Sequence, residues 1–222
     1  MRGHVKGAMG PLLCLAVLSL CKSVVDACSC MMGHPQELFC GSEVVIRAKV
    51  VGEKILGGDG NEGGHDPFST IQYEVKQVKM FRGFDKMSEV KYVYTPLHDS
   101  LCGVRLQVNN VQYVLGGSIR DGKLHIGLCG LIMTWDALTL SQKKSLNHRY
   151  QMGCDCRIKN CNSLPCAVTD ESECLWTDWL IERKMTGHQA KHYSCIKRKD
   201  GSCTWYRGGP PPEKDFHNAV EP

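Results

Sequence analysis

Residues 111–128 read Val-Gln-Tyr-Val-Leu-Gly-Gly-Ser-Ile-Arg-Asp-Gly-Lys-Leu-His-Ile-Gly-Leu, and Asp121-Gly122 separates two apolar segments in this stretch. An Asp-Gly pair between such segments is the strongest short-range hairpin signal, because both residues tolerate the positive φ of a tight two-residue turn. The stretch therefore predicts two antiparallel strands.

Further strand signals precede this hairpin. Strands are predicted for residues 44–51, 70–81, 90–94, 104–108 and 111–115. The alternation of apolar and polar side chains in residues 70–81 slips towards its end, which predicts a bulge. Asn109-Asn110 marks a tight turn. Five or six strands with a helix beside them suit a small closed barrel of the OB type, although periodicity alone does not exclude a sandwich.

Helix signals are fewer. Pro35 suits the first turn of a short helix over residues 34–39. Ser141 is predicted to cap a helix over residues 142–152, which Gly153 ends. Another helix is predicted for residues 177–183. The fold class is therefore mainly β with helices.

The first 27 residues have the anatomy of a cleaved secretory signal. Arg2 and Lys6 are basic, residues 11–20 are apolar, and small residues precede a cut after Ala27. The apolar run is shorter than the roughly 20 residues that cross a bilayer. We therefore expect removal of residues 1–27, a mature chain that begins at Cys28, secretion to the extracellular space, and no membrane insertion.

The net charge gives no indication of a nucleic-acid or membrane partner. It is +4 for the whole chain, and it falls to +2 once the three basic residues and one acidic residue of the signal are removed. That charge is too small to indicate binding of nucleic acid or of a membrane surface.

Cysteine spacing indicates two domains. Of the 14 cysteines, Cys14 and Cys21 belong to the signal, and the rest form an even set, as a fully paired secreted protein requires. One half of them is spread over residues 28–154, and the other half is crowded into residues 156–203. We expect an N-terminal domain at 28–154, a small disulfide-rich domain at 155–212 and a tail at 213–222. Spacing leaves 15 pairings open in each half.

The sequence offers no enzyme chemistry. The mature chain lacks a Cys-x-x-Cys pair, a His-Glu-x-x-His motif, a Gly-x-Ser-x-Gly motif and a phosphate-binding glycine loop. His188 and His192 have the i, i+4 spacing of a ligand pair, but Gly187 and Lys191 make this stretch resemble a solvated segment. We expect no enzyme and no cofactor of its own. A redox enzyme using Cys28-Ser29-Cys30 would need free thiols.

Several motifs together resemble one family, the tissue inhibitors of metalloproteinases. They are Cys28-Ser-Cys30, His34-Pro-Gln36 with Cys40, Val45-Ile-Arg-Ala-Lys49, Ile71-Gln-Tyr-Glu, Lys79-Met-Phe81, Cys102-Gly-Val104, Gln142-Lys-Lys-Ser-Leu-Asn-His-Arg-Tyr-Gln-Met-Gly-Cys154, Gly187-His-Gln-Ala-Lys191, Cys195-Ile-Lys-Arg198, Asp200-Gly-Ser-Cys203 and Trp205-Tyr-Arg207. The resemblance covers essentially the whole mature chain, and the helical and C-terminal segments look most like the second paralogue type.

The resemblance implies an architecture and a disulfide pattern. It implies an N-terminal OB-type, netrin-like barrel of five to six strands and a small C-terminal domain. It also implies the pairs Cys28-Cys102, Cys30-Cys129, Cys40-Cys154, Cys156-Cys203, Cys161-Cys166 and Cys174-Cys195.

The resemblance further implies a secreted inhibitor that chelates the catalytic zinc of a target protease through the α-amine and carbonyl of Cys28. A catalytic zinc keeps one coordination position open, which such a ligand can occupy. The implied protease-binding residues are Cys28, Ser29, Cys30, Met31, Gly41, Asp99, Ser100 and Leu101. The implied partners are matrix metalloproteinases in a 1:1 complex with a monomer, which would regulate turnover of the extracellular matrix.

Two departures bear on target preference. Met32 stands where the family usually has Pro. The second paralogue type carries an aromatic residue at a long hairpin tip and an acidic tail, whereas residues 57–64 here are glycine-rich and the tail is only weakly acidic. Binding of a progelatinase through the C-terminal domain is therefore left open. The alternative function is a netrin-like module that binds a receptor or matrix protein without inhibition.

Overall fold

The computed structural model describes residues 28–31, 33–57 and 69–207. The predicted signal, Met32, most of the glycine-rich tip and the predicted tail lie outside the described residues. The elements, in chain order, are α1 (Pro35–Gly41), β1 (Val44–Leu56), β2 (Thr70–Arg82), β3 (Tyr92–Pro96), a 3-10 turn (Asp99–Leu101), β4 (Gln112–Arg120), β5 (Lys123–His125), β6 (Ile132–Thr134), a second 3-10 turn (Trp135–Ala137), α2 (Leu140–Lys144), a π-helical turn (Ser145–Arg149), α3 (Tyr150–Met152), β7 (Arg157–Asn160), β8 (Glu173–Trp176), α4 (Asp178–Glu182), α5 (His188–His192), β9 (Tyr193–Lys197) and β10 (Cys203–Arg207).

The first strands close into a barrel. Neighbouring strands pair in the order β1-β2-β3-β5-β4, and β4 pairs back onto β1. β6 adds to β4, and β3 and β5 are the parallel pair in this sheet. This closed ring confirms the predicted mainly β fold of the OB type, and it removes the open sheet edges that a sandwich would leave.

Two local predictions for the barrel hold. Asp121 and Gly122 have φ of 50° and 71° and join β4 to β5, as the hairpin signal predicts. The β1–β2 ladder shifts register at three places, so the slip of the alternation reflects real bulges. The barrel interior is filled by buried residues such as Ile46, Ile71 and Leu124.

The strand predicted at residues 104–108 is wrong. This segment is irregular, because side chains rather than a neighbouring strand satisfy its backbone. The N–H of Val104 donates to Thr95 Oγ1 at 3.1 Å, and the N–H of Leu106 donates to the Tyr73 hydroxyl at 3.0 Å. The N–H of Gln107 donates to the Tyr113 hydroxyl at 3.1 Å. Each hydrogen bond gives a backbone N–H of this segment the acceptor that a neighbouring strand would otherwise supply.

The predicted helix after the barrel exists, but Ser141 does not cap it. Thr139 is the N-cap: its hydroxyl accepts from the Gln142 N–H at 3.1 Å, and Gln142 Oε1 accepts from the Thr139 N–H at 2.9 Å. This reciprocal capping box makes the helix begin two residues earlier than predicted. The helical path continues through the π-turn to Met152, and Gly153 ends it as predicted.

The C-terminal region, residues 155–207, has its own small core. Two short strand pairs, β7–β8 and β9–β10, surround buried Ile158, Cys174, Trp176, Ala190 and Cys195. The helix predicted at 177–183 is α4. Among the described residues, no helix combines the length and the apolar character needed to span a bilayer.

Candidate functional site

The first described residues form an exposed segment without regular secondary structure. Disulfides tie Cys28 to Cys102 and Cys30 to Cys129, with Cα–Cα distances of 5.3 Å and 5.2 Å. Ser29 lies between the two bridges and is exposed. A three-residue span fixed at both ends has little freedom, so the bridges set the course of the chain at this point.

The loop that receives Cys28 is itself held tightly. Asp99–Leu101 forms a 3-10 turn, and Cys102 adopts φ 60°. The N–H of Leu128 donates to the Cys102 carbonyl at 2.9 Å, which attaches the loop to the segment that carries Cys129. Gly103 lies against the Pro96 carbonyl oxygen, where a Cβ would have no room.

The two bridges touch each other. Cys102 Sγ and Cys129 Sγ are 4.0 Å apart, and the sulfurs of Cys28, Cys30, Cys102 and Cys129 all lie within 4.8 Å of one another. Four cysteine sulfurs this close would suit a metal as thiolates, but in disulfides they are not thiolate ligands. The cluster is therefore a structural support for the two segments that it joins.

These supports bring most of the predicted protease-binding residues together. We call residues 28–31 with Asp99–Leu101 the ridge. Five of its side chains are open to solvent: Met31 is 90% exposed, Leu101 is 44% exposed, and Ser29, Asp99 and Ser100 are also exposed, whereas the bridged Cys28 and Cys30 are partly buried. An exposed and covalently fixed ridge can enter a cleft with little loss of its own conformational entropy.

Gly41 is located elsewhere. It ends α1 and lines a cavity of about 560 Å³ together with Arg82 and Phe84. A Cβ at Gly41 would meet no atom within 4 Å. None of the residues that line this cavity belongs to the ridge, so the predicted role of Gly41 as a rim contact depends on the shape of a partner.

A second cavity lies beside the ridge and was not foreseen from the sequence. It has a volume of about 350 Å³, and its lining includes Leu101, Cys102, Arg120 and His125. Burial lowers the pKa of His125, and Arg120 and Lys123 lower it further. The sequence signal was indirect, because Arg120 and His125 flank the Asp121-Gly122 turn but no local pattern places them beside Leu101 and Cys102.

Two residues of the His34-Pro-Gln36 motif, His34 and Gln36, join the two regions of the chain. The side chain of Gln36 is 1% exposed, and its Nε2 donates to the carbonyls of Gly153 at 3.1 Å and Cys195 at 2.6 Å. His34 is fully buried, with ring centroids 5.4 Å from Trp176 and 5.2 Å from Trp205. Burial lowers the pKa of the His34 imidazole to about 4.

The remaining cysteines are paired as well. The structure joins Cys40 to Cys154, Cys156 to Cys203, Cys161 to Cys166 and Cys174 to Cys195. With the two bridges of the ridge, these are the same six pairs that the resemblance implies. The Cys40 bridge connects α1 to the end of α3, and the last three bridges lie within the C-terminal region.

Comparison with known proteins gives a consistent result. Residues 26–205 match the family model described as tissue inhibitor of metalloproteinase. The chain is 54% identical to metalloproteinase inhibitor 3 of Scyliorhinus torazame, over 97% of each chain, and 52% identical to metalloproteinase inhibitor 3 of Gallus gallus, over 92% and 93%. It is 48% identical to metalloproteinase inhibitor 2 of Homo sapiens, over 94% of each chain. The chain is thus about equally similar in sequence to relatives of the second and of the third type.

Proposed function

Because this chain belongs to the tissue inhibitors of metalloproteinases, we propose that its ridge enters the active-site cleft of matrix metalloproteinases and that Cys28 chelates their catalytic zinc. Proteins of this family inhibit metalloproteinases and are not enzymes themselves. The chelation mechanism and the choice of matrix metalloproteinases are our proposal.

The chemistry of Cys28 suits this role if the mature chain begins there. A free α-amine and the carbonyl oxygen of the same residue are two donors at one point. A catalytic zinc holds three protein ligands and an exchangeable water, which such donors can replace. The amine nitrogen donates only when it is neutral, and an amide nitrogen is not a comparable donor. A single residue in front of Cys28 would therefore remove the ligand.

One observation carries the proposal: two touching disulfides hold residues 28–30 beside the exposed Asp99–Leu101 turn. The donors of Cys28 are thereby presented on a rigid projection rather than on a free chain end. Rigid presentation reduces the entropy lost on binding, which is a major cost of association.

We assign the other residues of the ridge by their position. Ser29, small and exposed, would enter the primary specificity pocket of the protease. Cys30 and Met31 would continue along one side of the cleft, and Asp99, Ser100 and Leu101 would contact the other side. Gly41 would touch the rim of a larger partner.

The proposal includes the setting of this activity. We infer that residues 1–27 are a signal, that the protein is secreted, and that a monomer forms 1:1 complexes that limit turnover of the extracellular matrix. Residues 28–154 would be the inhibitory domain, residues 155–212 the small C-terminal domain and residues 213–222 a tail. The C-terminal domain would be the site for any complex with a progelatinase.

The test compares mature protein that begins at Cys28 with a version that has one added N-terminal Ala. A version with one added C-terminal Ala is the matched control. Inhibition is measured on a panel of matrix metalloproteinase catalytic domains. We expect tight inhibition by the first and the control, and loss with the N-terminal extension. Equal potency of all three would refute chelation by Cys28, and no inhibition by any would favour the netrin-like binding module.

A further inference from the structure

The pair His188 and His192 in the C-terminal region has a ring separation that suits a shared metal ion. The ring centroids are 4.9 Å apart, and the ring planes meet at 51°. Two imidazoles that bind one ion at about 2.0–2.1 Å in tetrahedral geometry have centroids about 5 Å apart. We propose that His188 and His192 bind a divalent transition-metal ion that prefers imidazole, such as Zn²⁺ or Cu²⁺, at a site separate from the ridge.

The orientation of α5 leaves the pair accessible. Residues at i and i+4 lie on one face of a helix. Ala190, two positions after His188, lies about 200° around the helix axis from it. Ala190 is 1% exposed and belongs to the core of the C-terminal region. The imidazole face therefore points away from that core; His188 is exposed and His192 is partly exposed.

The backbone that carries the pair is fixed before any ion binds. The buried carboxylate of Asp178 accepts from the N–H groups of Gln189 and Ala190, both at 2.8 Å. At the other end of α5, Thr139 Oγ1 donates to the Lys191 carbonyl at 2.6 Å. Because the helix is held at both ends, an ion would not have to order it, and this reduces the cost of binding.

The surroundings determine which ions suit the site. Glu182 Oε1 accepts from the backbone N–H of His188 at 2.7 Å, so its carboxylate is engaged by the backbone, and among the described residues no third ligand group lies within 4.8 Å of both imidazoles. Lys191 and Arg207 bring positive charge towards His192 and weaken the binding of any cation. Ca²⁺ and Mg²⁺ prefer several oxygen ligands, so a site built from two imidazoles binds them poorly. Among the divalent transition-metal ions, nitrogen ligands give Cu²⁺ a higher affinity than Zn²⁺ or Ni²⁺. Water would complete the coordination.

The structure explains why the sequence argued against this site. Gly187 and Lys191 resemble a solvated segment, yet Gly187 is buried. A Cβ at Gly187 would lie 2.6 Å from Asp178 Cγ. The glycine is therefore required for the close approach of α5 to α4, and it does not indicate a loop.

The test uses the full mature protein, treated with a chelator and then titrated with Zn²⁺ by calorimetry while the imidazole nitrogens are followed by NMR. We expect binding, with shifts at His188 and His192. His188→Ala or His192→Ala should weaken binding at least about tenfold, since even indirect support of a metal ligand is worth that much. His148→Ala, at an exposed histidine outside the pair, is the matched control and should bind normally.

Three results would overturn the proposal: no shift of either ring in the wild-type protein, unchanged affinity for Zn²⁺ when both histidines are replaced by Ala, or equal binding of Mg²⁺. The wild-type NMR result does not depend on the folding of any variant. Inhibition is a separate readout, since the pair lies outside the ridge. We expect both single variants to inhibit as the wild type does, so failure here is distinguishable from failure of the proposed function.

Discussion

Gln36 and Cys195, 159 positions apart in the chain, form a reciprocal pair of hydrogen bonds. The Cys195 N–H donates to Gln36 Oε1 at 2.8 Å, and Gln36 Nε2 donates to the Cys195 carbonyl at 2.6 Å. A buried side-chain amide thus serves the backbone of β9 as a neighbouring strand would. This pair is one of the contacts that connect α1 to the C-terminal region.

Replacement of Gln36 by Ala should weaken the connection between the two regions. The substitution leaves the Cys195 N–H and the Cys195 carbonyl without this partner, while the Gly153 carbonyl still accepts from the Cys156 N–H at 3.0 Å. Each unsatisfied buried group costs about 1–3 kcal/mol, so we expect the free energy of unfolding to fall by about 3 kcal/mol. Denaturant unfolding with the disulfides intact measures this change, and hydrogen exchange at the Cys195 amide should accelerate.

The matched control for this change is Gln107→Ala. Gln107 is exposed, so we expect an effect within about 0.5 kcal/mol. Similar effects of the two substitutions would mean that the Gln36 pair contributes nothing specific to stability.

Stability should decrease in mild acid because of His34. Burial lowers the pKa of its imidazole from 6.5 to about 4, and the nearby Asp178 carboxylate only partly opposes this. The unfolded chain therefore binds more protons than the native one between these values. The free energy contributed by neutral His34 is fully present above pH 6.5 and is lost as the pH falls to 4, by about 3 kcal/mol.

His34→Asn isolates this effect from the titration of carboxylates. An Asn side-chain oxygen can replace His34 Nδ1, which accepts from the Gln36 N–H at 3.2 Å, and it does not titrate in this range. Unfolding free energies of the two proteins are measured between pH 4 and 6.5. We expect the wild-type curve to fall more steeply, and parallel curves would contradict the assignment to His34.

Ser29→Arg should separate inhibition from stability. Ser29 is exposed between two bridges, so a larger side chain has room and the free energy of unfolding should change little. In the proposed complex the same position enters a confined pocket. We expect inhibition to weaken at least about 30-fold, equivalent to the 2 kcal/mol of an interface hot spot. The measurement is the inhibition constant for each protease of the panel.

Ser163→Arg is the matched control, since Ser163 is exposed in the C-terminal region. It should inhibit catalytic domains as the wild type does. If the two variants were equally potent on every protease, Ser29 would not be a contact.

Gly103→Ala should displace the loop that supports the ridge. Its Cβ would overlap the Pro96 carbonyl oxygen and lie 2.9 Å from the His98 carbonyl oxygen, and backbone atoms cannot rotate away. We expect a loss of about 2 kcal/mol in the free energy of unfolding and weaker inhibition, because the displaced loop carries Cys102. Gly41→Ala, with no atom near the added methyl, should leave stability unchanged. Equal stability of these variants would show that the loop adjusts freely.

The elements predicted correctly are those whose signals are local. Asp121-Gly122 specifies a turn by its own backbone preferences, and Pro35 begins α1 at the position where its missing N–H is harmless. The cap at Thr139 was also readable, since Gln142 three residues later completes the capping box. Ser141 is instead a residue of α2, two positions after the cap.

The irregular course of residues 104–108 was not readable from the sequence. Its pattern favours a strand, but hydroxyl groups of Tyr73, Thr95 and Tyr113 occupy its N–H groups. These partners are brought to the segment by the closure of the barrel. No window of local sequence contains that information.

The features of the site also divide into those that the sequence predicts and those that it does not. Cys28-Ser29-Cys30 stands out because it directly follows the predicted signal, and the ridge follows from the disulfide pattern of the family. The burial of His34 between Trp176 and Trp205 depends on packing between distant segments, as does the cavity beside Leu101. Sequence reasoning therefore found the covalent features and missed those produced by packing.

Because the two bridges of the ridge are in contact, reduction of one bridge affects the stability of the other. Thiol exchange begins when a thiolate reaches the sulfur of a disulfide, and Cys102 Sγ already lies 4.0 Å from Cys129 Sγ. Reduction of either bridge would place a nucleophile next to the surviving one, and exchange that joins Cys102 to Cys129 would leave Cys28 and Cys30 without the bridges that hold them. Under the proposed function, exposure to reductants is thus a means by which inhibition would be lost without unfolding of the barrel.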